Sequence, residues 1–168
     1  TTGAHRYRWD LRHDGTSRRG GRGPTVVPGN YKIRLSTDST QRTVTLSVLI
    51  DPRVAADGVS QEDLKAQETL CLQVRDLTAR ASDLAKGIDK ARKDRKELAD
   101  RLSKLSKELI TSTEGRYQRP MLRDQIRYLS GMIDRADQQP GKDAIERSTE
   151  LNAWLTRLES TFREMTRR

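Results

Sequence analysis

The strongest structural constraint in this sequence is a long ridge of apolar residues whose spacing alternates between four and three. Eleven of its twelve positions are apolar, and the exception is Arg95. The positions are Leu70, Val74, Leu77, Ala81, Leu84, Ile88, Ala91, Arg95, Leu98, Leu102, Leu105 and Leu109. A period of ~3.5 residues is typical of helices that pack as a coiled coil. The ridge therefore predicts one long helix over residues 60–111, about 75 Å in length at ~1.5 Å per residue.

The same ridge has one predicted start and two weak positions. Ser60 precedes two acidic residues, which predicts a helix that begins with Ser60 as its N-cap. Gly87 is unfavourable because an interior glycine costs about 1 kcal/mol relative to alanine, and Arg95 places a charge on the ridge. We therefore expect a kink or a change of packing partner between residues 87 and 95.

Two shorter apolar ridges follow the long one and have the same alternating spacing of four and three residues. Gly115 and Pro120 interrupt the first helix, and Pro140 separates the two ridges from each other. The ridge residues are Leu122, Ile126, Leu129, Ile133 and Ala136, and then Leu151, Leu155, Leu158, Phe162 and Met165. They predict helices over residues 118–138 and 142–167. Since short connections make neighbouring helices antiparallel, residues 60–168 are expected to form a three-helix antiparallel coiled-coil bundle. Helices two and three would each cover about half of helix one and leave its inner half free.

The first third of the chain has the period of two that is typical of β-strands. Three stretches alternate apolar and polar residues, and the second and third form a predicted hairpin. Their apolar residues are Tyr7, Trp9 and Leu11, then Tyr31, Ile33 and Leu35, then Val44, Leu46, Val48 and Ile50. Three strands with one apolar face cannot close a sandwich, so residues 1–51 are interpreted as a partial immunoglobulin-like element. Its missing strands would be absent from the chain, or supplied by a partner or by the helices. Residues 52–59 would be a linker, and the fold class is α+β, mostly α.

Charge and composition limit the classes of partner. Hydrophobic residues make up 33% of the chain and charged residues 34%, which favours elongated helices with a large solvated surface. The net charge is +9, and its densest part is HDGTSRRGGRGP, in which Arg18, Arg19 and Arg22 form a candidate anion-contacting loop. No aromatic residue lies between these arginines to stack on a base, so a solvated loop is favoured over a nucleic-acid site.

The sequence contains no recognisable catalytic or cofactor motif. It has no phosphate-binding glycine loop, and we predict no catalytic residue, no cofactor and no metal ligand. His5 and His13 lie eight residues apart around a predicted strand, a spacing that does not direct both at one metal. Cys71 lies in the ridge region of the first helix, where a buried small side chain is favoured over a reactive thiol. No apolar run reaches the ~18 residues that a membrane span needs.

Several segments together carry a family resemblance. They are GAHRYRWDLR, GPTVVPGNYKIRL, VTLSVLIDPRV, EDLKAQETL and RPMLRDQIRYLSGMIDRADQQPGKDAIERSTELNAWL. In this order they resemble the C-terminal region of bacterial sortilin-like proteins, which are built on β-propellers of bacterial-neuraminidase (BNR) repeats and are often labelled glycosyl hydrolases. Asp137 and Pro140 match the turn of that family's terminal helical pair. The resemblance implies an exported, periplasmic or extracellular protein whose propellers precede this segment, and it transfers no catalytic residue.

These observations lead to one favoured functional hypothesis. The chain would be a non-catalytic accessory module that contacts the β-propeller domains of the same parent protein. A basic coiled-coil module that binds nucleic acid or another anionic polymer is the alternative, and an enzyme subunit that contributes carboxylates to a glycosidase is a third. A homodimer through a sheet edge or through helix one is also a candidate assembly.

Overall fold

The fold is mostly helical, with two small antiparallel sheets ahead of a long helix. The computed structural model describes residues 3–16, 21–115 and 117–167, and 56% of these residues are helical. This confirms the α+β, mostly α class. The strands are β1 (Arg12–Asp14), β2 (Arg22–Thr25), β3 (Gly29–Ser36) and β4 (Gln41–Val48). The helices are α1 (Pro52–Ala56), α2 (Gln61–Asp94), α3 (Ala99–Leu109), α4 (Leu122–Ile133) and α5 (Lys142–Thr166).

Helix α2 begins with a reciprocal cap at Ser60. The Ser60 Oγ accepts a hydrogen bond from the Asp63 backbone N–H at 3.1 Å, and the Asp63 carboxylate accepts one from the Ser60 N–H at 2.9 Å. Two amide groups that have no partner within the helix are satisfied in this way. The predicted start of the helix is therefore confirmed.

The prediction of one continuous helix over residues 60–111 is wrong. Helix α2 ends at Asp94, Arg95 takes a non-helical conformation (φ −134°, ψ 81°), and a 3₁₀ turn over Lys96–Leu98 leads into α3. Helix α3 packs back against α2 and also contacts α5. The apolar spacing continues in phase through this reversal, and neither a glycine nor a proline marks it. The same pattern therefore describes one long helix and two shorter antiparallel helices equally well.

Arg95 has a structural role at the point where the helix reverses. Its Nη1 donates a hydrogen bond to the backbone carbonyl of Thr166, the last residue of α5, at 3.2 Å. A cation at a helix C-terminus satisfies a free carbonyl and interacts favourably with the helix dipole. The charge on the apolar ridge is therefore at the end of the core, where it caps a neighbouring helix.

The helices share one apolar core that the three ridges build. Helix α5 runs alongside α2 in the same direction, since Arg80 contacts Glu159 and Gly87 lies against the Phe162 ring. Helix α4 packs against the first part of α2 and against α5. Burial of the ridge residues is confirmed for most positions, with Ala91, Leu98, Phe162 and Met165 at the margin. Helix α2 continues through Gly87, and the break predicted between residues 87 and 95 lies at Arg95.

Helix α4 is shorter than the predicted helix over residues 118–138. It ends at Ile133, and the chain then bends because the Gln67 side-chain amide donates to the carbonyls of Ile133 and Ala136, at 2.7 and 2.6 Å. The Gln67 Oε1 accepts from the Gln138 N–H at 3.3 Å. A single buried glutamine thus replaces the intrahelical bonds that a longer α4 would have made.

The strand predicted around Trp9 is also wrong. Residues 5–10 form no strand, and β1 covers only Arg12–Asp14. Leu11 has a left-handed backbone conformation (φ 57°), and the Trp9 indole N–H donates to the carbonyl of Arg12 at 3.1 Å. The chain therefore turns where alternation predicted extension. Strand β1 pairs with β2, which lies in a segment predicted to be a loop.

Candidate interaction surface on the projecting hairpin

The structure describes only some of the residues that sequence analysis singled out. Arg18 and Arg19 lie outside the described residues, and Arg22 is the exposed first residue of β2. His13 lies in β1, where its Nε2 is 2.8 Å from the Glu68 Oε1. No group of three His, Cys, Asp or Glu side chains within residues 3–16, 21–115 and 117–167 is placed to hold a metal ion. Over the same residues, no helix is both long and apolar enough to cross a membrane.

Cys71 is a buried thiol in the core beneath the first sheet. It is 6% exposed, and its Sγ lies 3.8 Å from the carbonyl oxygen of Ile133. Burial raises the pKa of the Cys71 thiol to about 12, and the nearby Asp134 carboxylate adds to the effect. Because the thiolate is the nucleophilic form, this position is unsuited to covalent chemistry.

We predict that Cys71 of the folded protein reacts very slowly with Ellman's reagent at pH 8. A pKa near 12 leaves about a thousandfold less thiolate than the ordinary value near 9. The thiol pKa is higher in the folded protein than in the unfolded protein. The contribution of Cys71 to the free energy of unfolding is therefore fully present below about pH 9 and is lost as the pH rises from 9 towards 12. The measurement is absorbance during reagent addition with and without urea, and Cys71→Ser is the blank. Immediate stoichiometric reaction of the folded protein would contradict the assignment.

The first sheet is fastened to the helices by a small polar network. The Glu68 Oε1 on α2 accepts from the backbone N–H of Val27 at 3.1 Å in addition to its contact with His13. The Arg12 guanidinium on β1 donates to the Gly23 carbonyl of β2 at 2.8 Å and to the carboxylate of Asp134, at the end of α4, at 3.2 Å. The strands and two helices are thereby held together by side chains that periodicity alone does not single out.

The second sheet is a hairpin that projects from this junction. Strands β3 and β4 pair over eight consecutive residues, from Gly29 opposite Val48 to Ser36 opposite Gln41. At its base the Tyr31 hydroxyl donates to the Val27 carbonyl at 2.6 Å, and the Gln61 side-chain amide donates to the Pro28 carbonyl at 2.9 Å. Burial raises the pKa of Tyr31, and the Glu68 charge adds to this, so the hydroxyl stays protonated as a donor. The base is therefore fixed to the body of the protein.

One face of the hairpin is apolar and open to solvent. Directly opposite residues in an antiparallel pair lie on the same face, so the strand pairing places the apolar residues of both strands together. Exposure increases towards the tip, where Leu35 is 65% and Val44 is 60% exposed. The apolar members of this face are Tyr31, Ile33, Leu35, Val44, Leu46 and Val48. Sequence alternation predicted this face, but the structure shows that the helices do not cover it.

A groove between α4 and the start of α5 is a second exposed surface. Tyr128 and Met132 lie in its wall and are 72% and 41% exposed. Its charged residues are mostly neutralised within the groove region, since Arg127 pairs with Asp124 at 3.0 Å and Arg147 pairs with Glu150. The groove therefore gives less indication of a partner than the hairpin does.

Comparison of the chain with protein-family models, with curated proteins and with solved structures finds no match. Among the surfaces of the described residues, the apolar face of the β3–β4 hairpin remains the candidate interaction site.

Proposed function

We propose that this chain is a non-catalytic interaction module, in which the helical core holds the β3–β4 hairpin out towards a partner polypeptide. The exposed apolar face of the hairpin carries this proposal. At ~3.4 Å per residue the face is about 27 Å long, and two strands ~4.8 Å apart make it about 10 Å wide. The face, which also includes Gly29 and Arg42, is therefore at most about 270 Å², and exposed apolar patches of a few hundred Å² are often functional.

The anchoring of the hairpin supports the same function. A two-stranded hairpin alone is at best marginally stable in water, so its shape depends on what holds its base. Here Tyr31 is bonded to Val27, and the Trp9 ring stands edge-on to the Tyr31 ring with centroids 5.1 Å apart. A preformed and anchored strand pair has less conformational entropy to lose when a partner binds.

The resemblance and the two small sheets support one class of partner. We propose that the partner is a β-rich domain, with the β-propellers of the parent sortilin-like protein as the first choice, in an exported bacterial protein. Completion of an immunoglobulin-like sandwich by partner strands would explain why the hairpin face is apolar. The alternating spacing of the helical ridges supports coiled-coil packing in the core.

We predict that a photoreactive benzoylphenylalanine at Leu35 forms a discrete cross-linked product when the protein is expressed in its source organism. The same residue introduced at Ile145, which is 48% exposed on α5, is the matched control and should form none. Mass spectrometry of the product then identifies the partner, and a propeller sequence would support the sortilin-like relationship. Absence of a product at Leu35, or equal products at both positions, would overturn the proposed docking surface.

A further inference from the structure

The outer edge of β3 is a hydrogen-bonding edge that is neither shortened, bent nor covered within the described part of the chain. Within the described part of the chain, β3 is paired with β4 alone. Its pairing is unbroken by a bulge over eight residues, and no proline lies in the strand. Natural proteins usually shorten, bend or cover exposed edges, or place charged residues on them, because free N–H and C=O groups recruit further strands. Here Lys32 and Arg34 are such charges, so a strand that carries the opposite charge is the one this edge admits. This edge is therefore available for strand addition.

The polar face of β3 carries two neighbouring cations. Lys32 and Arg34 are two residues apart, so both side chains lie on the face opposite Ile33. Both are exposed, and neither makes an ion pair or a side-chain hydrogen bond with another residue in the described ranges. The one acidic residue of the hairpin, Asp38, lies in the turn beyond the strand. The edge therefore has an uncompensated positive charge.

The charges on the two strands indicate which edge a partner would use. The polar face of β4 carries the uncharged residues Gln41, Thr43, Thr45 and Ser47. Arg42, the cation of β4, lies on the apolar face opposite Leu35. Directly opposite side chains in a sheet lie ~5 Å apart, close enough for opposite charges to stabilise the pair. Only β3 thus offers two adjacent cations to a strand added at its edge.

We propose that the β3 edge binds an extended segment of a partner in which apolar and acidic residues alternate. The apolar residues of that segment continue the face of Tyr31, Ile33 and Leu35, and two acidic residues lie beside Lys32 and Arg34. Its backbone groups satisfy the open edge, as in other complexes formed by strand addition. This inference rests on the proposed function and specifies the chemistry of the partner.

The same charges argue against a second copy of this chain as the occupant. Antiparallel pairing of two β3 edges about Ile33 places Lys32 of one copy opposite Arg34 of the other. A pair centred on Lys32 places the Lys32 residues of the two copies opposite each other, and a pair centred on Arg34 does the same for the two Arg34 residues. Like charges directly opposite one another destabilise a strand pair. A partner segment with carboxylates removes this repulsion.

The test uses the full chain and a fluorescent nine-residue peptide that alternates valine and glutamate. Fluorescence anisotropy should show saturable binding of this peptide to the wild-type protein. A peptide that alternates valine and lysine should bind at least about tenfold more weakly. In the double variant Lys32→Glu, Arg34→Glu this preference should reverse, because each attraction becomes a repulsion. Arg42→Glu reverses a single charge on the other face of the hairpin and should keep the preference for glutamate. Circular dichroism at 222 nm confirms that each variant retains its helices.

Two further measurements separate strand addition from its alternatives. A glutamate peptide with N-methyl groups on alternate amides keeps its side chains but cannot pair fully along an edge, and it should lose most of its binding. Unchanged binding of that peptide, or no binding of the unmodified one, would overturn the inference. A dimeric molar mass in sedimentation equilibrium would also overturn it by assigning the edge to a second copy, if Lys32→Glu tightens that dimer by turning the repulsion between Lys32 and Arg34 of the two copies into attraction. If the glutamate peptide does not bind while the Leu35 cross-link still forms, strand addition is wrong and the proposed docking function remains. If the peptide binds but the Leu35 cross-link does not form, the proposed docking surface is wrong and strand addition at the β3 edge remains.

Discussion

Replacing Leu155 by alanine is expected to lower the free energy of unfolding by about 2–5 kcal/mol. Leu155 lies on α5, is 0% exposed and belongs to the core that α2, α3, α4 and α5 share. Removal of three carbon atoms takes away apolar burial and leaves a cavity that the neighbouring ridges can fill only in part. Urea denaturation followed by circular dichroism at 222 nm measures the change.

Ile145→Ala on the same helix is the matched control for Leu155. It removes the same number of carbon atoms from a side chain that is about half exposed, so we expect a loss below about 1 kcal/mol. The dependence of the unfolding free energy on urea should stay unchanged in both variants. Equal losses in the two variants would contradict the assignment of Leu155 to the core.

Replacing Gln67 by leucine is expected to cost about 3 kcal/mol, although leucine is the more apolar residue. Gln67 is 8% exposed and bonds to the carbonyls of Ile133 and Ala136 and to the N–H of Gln138. Leucine cannot replace these bonds, and a buried polar group that loses its partner costs about 1–3 kcal/mol. The loss should appear in urea denaturation.

Gln73→Leu on an exposed turn of α2 is the control for Gln67. It makes the identical chemical change without removing a bond to the end of α4, and its effect should stay within about 0.5 kcal/mol. Hydrogen exchange should also become faster around residue 138 in Gln67→Leu and stay unchanged in the control. If Gln67→Leu is as stable as wild type, the bonds to Gln67 do not hold the end of α4.

Local patterns were sufficient for the parts of this protein that depend on near neighbours in sequence. The four-three ridges predicted which leucines are buried, and Ser60 marked the start of α2 because its capping bonds involve residues three apart. Alternation also predicted the β3–β4 hairpin and its apolar face. The same rule failed around Trp9, where the indole bonds to the backbone of Arg12 and the chain turns.

The features that sequence reasoning missed depend on residues far apart in the chain. Gln67 follows no apolar rule, and its importance comes from carbonyls at residues 133 and 136. In the sequence nothing distinguishes Glu68 from the other acidic residues of α2. Its role comes from contacts with His13 and Val27, which are far from it in the chain. An acidic or amide residue at the edge of an apolar ridge was the one available signal, and it is weak because many helices carry such residues at exposed positions.

The sequence by itself determined the elements of this protein, since helical ridges, a capped helix start and an alternating hairpin each arise from interactions over a few residues. Only the tertiary structure decided that the chain reverses at Arg95 and that the hairpin face stays open. A ridge in phase across the turn has the same period whether the helix continues or folds back, and the choice depends on the packing of α3 and α5. Likewise, alternation shows that a face is apolar, whereas its exposure depends on where distant helices lie.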